Sequence, residues 1–140
     1  MSAKPPPAWI VRLNTALLRR GFGVGSQQLL TVRGRKSGQP RQTPISIATL
    51  AGDRYIVAAF AEANWVLNVQ AAQCGTLGRG KDEHQVALTE IAAERRGPIL
   101  RAFLEQVRGG RRFFGGRTPE EVVAHSADYP VFRVDPVSGA

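Results

Sequence analysis

The sequence predicts an α+β domain whose strands form an antiparallel barrel with helices at its ends and in its crossings. Three observations predict it. Short apolar runs recur along the chain, each bounded by glycine, proline or polar turn residues. Tight turn signals such as Ala51-Gly-Asp53 join successive runs into hairpins. Stripes of helical period separate those hairpins and flank them. Short strands in hairpins, interrupted by helices, are an α+β pattern, and closure into a barrel removes the exposed sheet edges.

The elements follow in order. Residues 1–7 are a flexible leader, locally stiffened by Lys4-Pro-Pro-Pro7. Ala8–Arg20 is an amphipathic helix with Trp9, Leu13, Ala16 and Leu17 on one face and Arg12, Arg19 and Arg20 as its cations. Such a helix either packs on the domain or lies on an anionic membrane surface. Gly21-Phe-Gly-Val-Gly25 breaks it. Leu29–Val32, Thr43–Leu50 and Arg54–Phe60 are strands. Trp65–Ala72 is a short helix with Asn64 as its N-cap. Thr76–Gly78 and Gln85–Ile91 form a second hairpin, joined across Arg79–His84. Gly97-Pro98 opens a helix through Val107, apolar at Ile99, Leu100, Phe103, Leu104 and Val107. Thr118-Pro-Glu-Glu121 is a capping box that starts a helix ending near His125. Tyr129–Val134 closes the chain as a strand.

At 140 residues the chain is one domain, 1–140, large enough for a core. Its formal net charge of +8 calls for an anionic partner: an acidic ligand, nucleic acid or a membrane surface. Nucleic acid needs basic patches interleaved with aromatics. Arg111-Arg-Phe-Phe114 is the single such cluster, and it is better accounted for as a helix end packing its Phe pair, so no nucleic-acid partner is expected. The lone Cys74 provides neither disulfide framework nor thiolate metal site. His84 and His125 stand apart without ligand spacing, so both belong on the surface and no metal is expected. No run reaches membrane-spanning length and no secretory pattern opens the chain, which points to a cytoplasmic protein. Glu90 and Glu94 are expected to be solvated, and no nucleophile–base pair stands out.

The stretch Arg33-Gly-Arg-Lys-Ser-Gly-Gln-Pro-Arg41 carries the chemistry. It puts four cations, two glycines and a hydroxyl into nine residues with no acidic residue. Cations brought together by a turn repel one another until an anion neutralises them. Gly34 and Gly38 let backbone N–H groups converge, and Arg35, Lys36 and Arg41 donate charge-assisted bonds to phosphate or carboxylate oxygens. The stretch is therefore an anion-binding hairpin loop; the alternative is a solvated basic turn. A second segment runs from Tyr55 through Ala58, Ala59 and Phe60 to Trp65 and Asn68. The small alanines leave room for a flat ring against backbone, and Trp65 and Asn68 share one helical face bordering the same space. The alternative is that Trp65 is core and Asn68 caps a turn. With no acid–base set on view, an anion loop of this kind fits a protein that lets a cofactor do the chemistry.

Gly34-Arg-Lys-Ser-Gly-Gln-Pro-Arg-Gln-Thr-Pro-Ile45, Tyr55–Phe60 and Trp65-Val-Leu-Asn-Val69 together resemble the deazaflavin (F420)-dependent nitroreductases and F420H2-dependent quinone reductases. The match covers roughly residues 10–95 and again Tyr129–Pro136. The resemblance implies a split, FMN-binding-like β-barrel and the cofactor F420, a deazaflavin with a phosphodiester and an oligoglutamate tail. It implies that Arg35, Lys36, Ser37, Gly38 and Arg41 hold phosphate and carboxylates, and that Thr43, Pro44 and Ile45 begin the strand beside the ring. By the same resemblance Ala58, Ala59 and Phe60 face the ring, and Trp65 and Asn68 close the pocket. The activity implied is hydride transfer to a small planar acceptor such as a quinone, enone or nitro compound, in a protein compatible with homodimer formation. Ala61–Asn64 is shorter than in nitroreductases of this family, and the C-terminal half has Arg111-Arg-Phe-Phe-Gly115 in place of a tyrosine run. These departures predict an acceptor other than a nitroimidazole, with Phe60, Phe113 and Phe114 as apolar candidates for the mouth. Relatives in the wider superfamily use FMN or hold lipid-like ligands, the alternatives to F420 chemistry.

Overall fold

The computed structural model describes residues 27–107 and 109–137. The leader at 1–7, the helix at 8–20 and the glycine breaker after it lie outside the described residues. Six strands form the barrel: β1 (Gln27–Arg33), β2 (Pro40–Leu50), β3 (Asp53–Val57), β4 (Cys74–Arg79), β5 (Asp82–Glu90) and β6 (Val131–Pro136). Their order around the closed barrel is β1-β2-β3-β6-β5-β4, and each neighbouring pair is antiparallel. Among the described residues four α-helices accompany them: α1 (Asn64–Ala72), α2 (Gly97–Gln106), α3 (Gly110–Phe113) and α4 (Pro119–Ala124).

Local chemistry sets the hairpins. Ala51 and Gly52 both have positive φ, 54° and 85°, the backbone of a two-residue turn whose twist matches the strands it joins. Gly80 has φ 55° and, with Lys81, makes the equally short β4–β5 turn, so the hairpin is longer at both strands than the sequence suggests. β4 must also approach β1 and β5 closely. A Cβ on Gly78 would stand 1.9 Å from the Asp82 carbonyl oxygen, so only glycine fits there.

Strand alternation divides the apolar residues between two cores. Leu30, Val32, Ile45, Ile47, Ile56, Leu77, Val86, Leu88, Phe132 and Val134 point into the barrel, where Val66 and Val69 of α1 join them. Ala48, Val57 and Val131 face outward under α2 and α4, packed with Ile99, Leu100, Phe103, Phe114 and Val122. Each fully buried side chain of this kind contributes about 1.5–3 kcal/mol, so two-sided burial makes β2, β3 and β6 the rigid wall of the molecule. Where β2 runs past its pairing with β1, Gln106 completes its edge. The Thr49 N–H donates to Gln106 Oε1 at 2.7 Å, and Gln106 Nε2 donates to the Thr49 carbonyl at 2.5 Å.

Several boundaries differ from the expected ones, each for a physical reason. The strand expected over Arg54–Phe60 stops at Val57, and the strand expected from Tyr129 starts at Val131. One cause covers both: the Ala58 N–H donates to the Pro130 carbonyl at 2.9 Å, but proline has no N–H to return, and the ladder ends. Asn64 is not an N-cap. Ala63 holds that position without a side-chain bond, and Asn64 is the first helical residue. The Thr118 capping box forms as expected, with Glu121 N–H to Thr118 Oγ1 at 3.2 Å and Thr118 N–H to Glu121 Oε1 at 3.1 Å. The bonds from the Thr118 backbone and side chain, helped by Arg117 and Arg111, hold the Glu121 carboxyl below its ordinary value. Its stabilising contribution is therefore complete above the ordinary carboxylate pKa and is lost as pH falls through the lowered one.

Phe113 and Phe114 are not at a pocket mouth. Phe114 is buried against Phe103 and Tyr129, with ring centroids 5.7 and 4.8 Å away, while Phe113 stacks edge-on to Phe114 and stays 40% exposed. They belong to the outer core, as a helix end packing its Phe pair. Phe114→Ala is expected to cost about 3–5 kcal/mol in urea unfolding and Phe113→Ala about 1 kcal/mol, with neither changing ligand affinity.

Glu90, expected to be solvated, is partly exposed but accepts from Arg96 Nη2 at 3.1 Å and from Gln70 Nε2 at 3.3 Å. Arg96 itself is 7% exposed. It donates to the carbonyls of Ile91, Ser126, Ala127 and Tyr129 at 2.8 to 3.4 Å, tying the exit of β5 to the turn before β6. Arg96→Met removes one donor from each of those carbonyls and from Glu90 and is expected to destabilise by about 3–5 kcal/mol. Arg96→Lys should recover little of that loss, since one ammonium cannot span the guanidinium's fork, and chemical denaturation of both variants is the check.

Candidate functional site

The site is built where β1 turns into β2. Arg33 pairs with Pro40, and the intervening loop is closed by Gly34 N–H to the Gln39 carbonyl at 2.8 Å and Gly38 N–H to the Gly34 carbonyl at 2.9 Å. Gly38 takes φ 73°, which a side chain would resist. Ser37 Oγ sits within the turn, accepting from Gln39 N–H at 3.2 Å and from Arg41 Nη2 at 3.4 Å. Arg35, Lys36 and Arg41 are exposed around it. Among the described residues, none of Arg33, Arg35, Lys36 and Arg41 forms an ion pair.

The facing wall is the first half of α1. Val66 and Val69 anchor that helix in the barrel end, which turns Asn64, Trp65 and Asn68 toward the loop. Asn68 is 4% exposed, and its Oδ1 accepts from the Arg35 N–H at 3.1 Å and from Arg35 Nη1 at 2.8 Å. Arg35 Nη2 donates to Asn64 Oδ1 at 3.3 Å. Trp65 is half-buried, with its ring centroid 6.3 Å from that of Phe132 and tilted by 59°, so it packs on the barrel core and also borders the open space.

Between the two walls is a cavity of about 520 Å³. Arg35, Lys36, Ser37, Arg41, Thr43, Trp65 and Asn68 all line it, so the structure brings together seven residues that the sequence singled out from two separate segments. Gly34, Gln42 and Asn64 line it as well. From the sequence, Gly34 has a turn role and Asn64 a cap role, and Gln42 has no role of its own. Gly38 lies across the loop, in a second hollow of about 490 Å³ with Arg33, Ala71 and Ala72. Ile45 points into the barrel core and Pro44 is half-buried beside it on β2. Ala58 is buried in the barrel, Ala59 packs against the outer core and Phe60 is half-buried; none of the three lines the cavity.

The lining holds three cations, hydroxyls, amides and one indole, and no carboxylate, imidazole or thiol. Such a wall binds and orients an anionic, partly aromatic molecule. It contains no side chain able to act as a general base near neutral pH.

Comparison with known proteins gives the family and the fold. The family model of the F420H2-dependent quinone reductases matches residues 7–112. A solved protein described as a domain-swapped dimer is 21% identical, with 91% of this chain and 97% of the other covered and a TM-score of 0.57. An F420H2-dependent reductase, FDR-A, is 22% identical over 79% of this chain and 94% of its own, with a TM-score of 0.53. A putative pyridoxamine 5′-phosphate oxidase from Listeria innocua is 13% identical over 79% and 83%, with a TM-score of 0.54. At these identities the structural likenesses speak to the fold, which is the expected split barrel. The family match extends over most of the chain: it belongs to the F420H2-dependent quinone reductase family.

Proposed function

We propose that this protein is an F420H2-dependent reductase acting on a small, planar, electron-poor acceptor, a quinone, enone or nitro compound. The observation that carries the reading is the cavity between the Gly34–Arg41 loop and α1, where three cations and a tryptophan converge without a carboxylate. The donor set fits the cofactor's anionic parts. Lys36 and Arg41 have no acidic partner among the described residues and would hold phosphodiester and tail carboxylates by charge-assisted bonds. Trp65 supplies a flat apolar border for the ring system. When bound, F420H2 supplies the hydride that reduces the acceptor. The chain's own part is to fix orientation and exclude water beside Trp65, with the proton on the product coming from solvent. On this reading the enzyme works in the cytoplasm. Sedimentation with anionic vesicles reads whether residues 8–20 add a membrane contact, and sizing reads whether the chain is a homodimer.

Lys36→Ala and Arg41→Ala are each expected to weaken F420 binding by about 1.5–3 kcal/mol with little change in unfolding midpoint. Affinity should rise with the number of tail glutamates and fall with added salt, since exposed charges are screened over roughly 10 Å near 0.1 M. Fluorescence quenching at several salt concentrations measures both. Equal affinity for tail-less deazaflavin at low and high salt would show that the loop does not hold the tail. Binding of FMN in place of F420 would transfer the site to flavin chemistry.

The acceptor is set by what can lie on the exposed ring face. Anaerobic oxidation of F420H2 is expected with several planar quinones and enones, with discrimination of about 10–200-fold per methylene-sized change. Turnover confined to nitro compounds would overturn this acceptor class. No turnover with any acceptor, despite tight binding, would favour a ligand-holding role.

A further inference from the structure

Resting on the F420 reading, we infer that Asn68 and Arg35 are positioning residues, a tether that sets the shape of the cationic loop, and that the anion is held by Lys36 and Arg41 instead. Three observations carry this. Asn68 is nearly buried, and one oxygen, Oδ1, takes both the backbone N–H and Nη1 of Arg35. Arg35 Nη2 is directed at Asn64 Oδ1 and Nη1 is also 3.5 Å from the Asn64 carbonyl, so the guanidinium fork is directed at α1. Lys36 forms no bond within the described residues, and Arg41 forms a long one to Ser37.

The division follows from geometry. A guanidinium presents its donors in a fixed plane, and here that plane is occupied by two asparagines one helical turn apart. Turning Arg35 toward an anion would leave the Asn68 amide buried with less than its full set of partners, which is costly. The backbone bond adds a second constraint: the Arg35 N–H keeps its bond to Asn68 only while the loop stays against α1. Lys36 and the turn of Ser37 follow directly in sequence, so the tether fixes where their donors begin. The cost of gathering the cations is thereby met before any ligand arrives, and each remaining cation can act on the ligand at full strength.

Amide hydrogen exchange on the cofactor-free protein tests the tether directly. In Asn68→Ala the Arg35 amide should lose protection while strand amides such as Leu30 and Ile56 keep theirs. F420 affinity should drop at least about ten-fold. In that background Lys36→Ala should cost less than it does in wild type, because a loosened loop no longer places the lysine. Asn68→Asp, which keeps the acceptor, should restore protection of the Arg35 amide. Arg35→Lys is the second variant should Asn68→Ala not fold, and it should weaken F420 binding although the charge is kept. A protected Arg35 amide in Asn68→Ala, or strictly additive effects of Asn68→Ala and Lys36→Ala on affinity, would overturn the inference. Wild-type protein that fails to bind F420 would refute the cofactor reading, and the exchange data alone would then decide the tether.

Discussion

Closing six strands into a barrel leaves an end to be filled, and that constraint organises the rest of the molecule. Val66 and Val69, both fully buried, fill it from α1. A helix pinned by two residues three apart has its azimuth fixed, so the residues between and before them cannot also face inward. Asn64, Trp65 and Asn68 are left on the rim, opposite the β1–β2 loop. The site is thus a consequence of plugging the barrel. Its position is as secure as the core beneath it, because moving α1 would open a cavity lined by Leu30, Val32 and Phe132.

The loop across the rim is a balance of small terms. Like charges 4 Å apart in water repel by about 1 kcal/mol, and salt reduces that further. Against this stand the Gly34–Gln39 and Gly38–Gly34 backbone bonds, the Ser37 hydroxyl and the two bonds onto Asn68. Neutral and singly charged hydrogen bonds of about 0.5–1.5 kcal/mol each are enough to hold the turn closed. The repulsion is consequently stored without distorting the backbone. Glycine suits the turn at both positions, since Gly38 has positive φ and a Cβ on Gly34 would meet Ser37 Oγ at 2.8 Å.

Much of this was legible in the sequence, and what was not shares a cause. The strands, the Ala51–Gly52 turn, the Thr118 capping box and the cationic loop depend on neighbours in sequence, where local rules apply. The loop was recognisable because charge density and glycine are local properties. Errors arose where a distant partner decided the outcome. Ala58–Phe60 leave β3 because the residue opposite is Pro130. Asn64 is no cap because Arg35 takes its side chain. Arg96 carries no local signal in the sequence, and only the fold brings four carbonyls around it. Gln106 likewise gives no sign that its amide completes the edge of β2 at Thr49. The bond between Arg35 and Asn68 joins two recognised motifs 33 residues apart, a contact that motif reading alone does not show.

The tether inferred between Arg35 and Asn68 bears on how so small a wall would support the proposed reaction. The cavity's lining has no acid–base group, so its contribution must come from geometry. Geometry of that kind is lost if the binding groups sit on a mobile hairpin, and loops at strand ends are ordinarily the most mobile part of a barrel. Here the hairpin is fastened at both sides. On one side Arg33 is still in register with Pro40; on the other Asn68, buried with the plug helix, holds Arg35. The cationic loop therefore inherits the rigidity of the barrel core. On the proposed reading, cations set beside an indole would hold a ring by its charged tail and leave the reacting face to the acceptor.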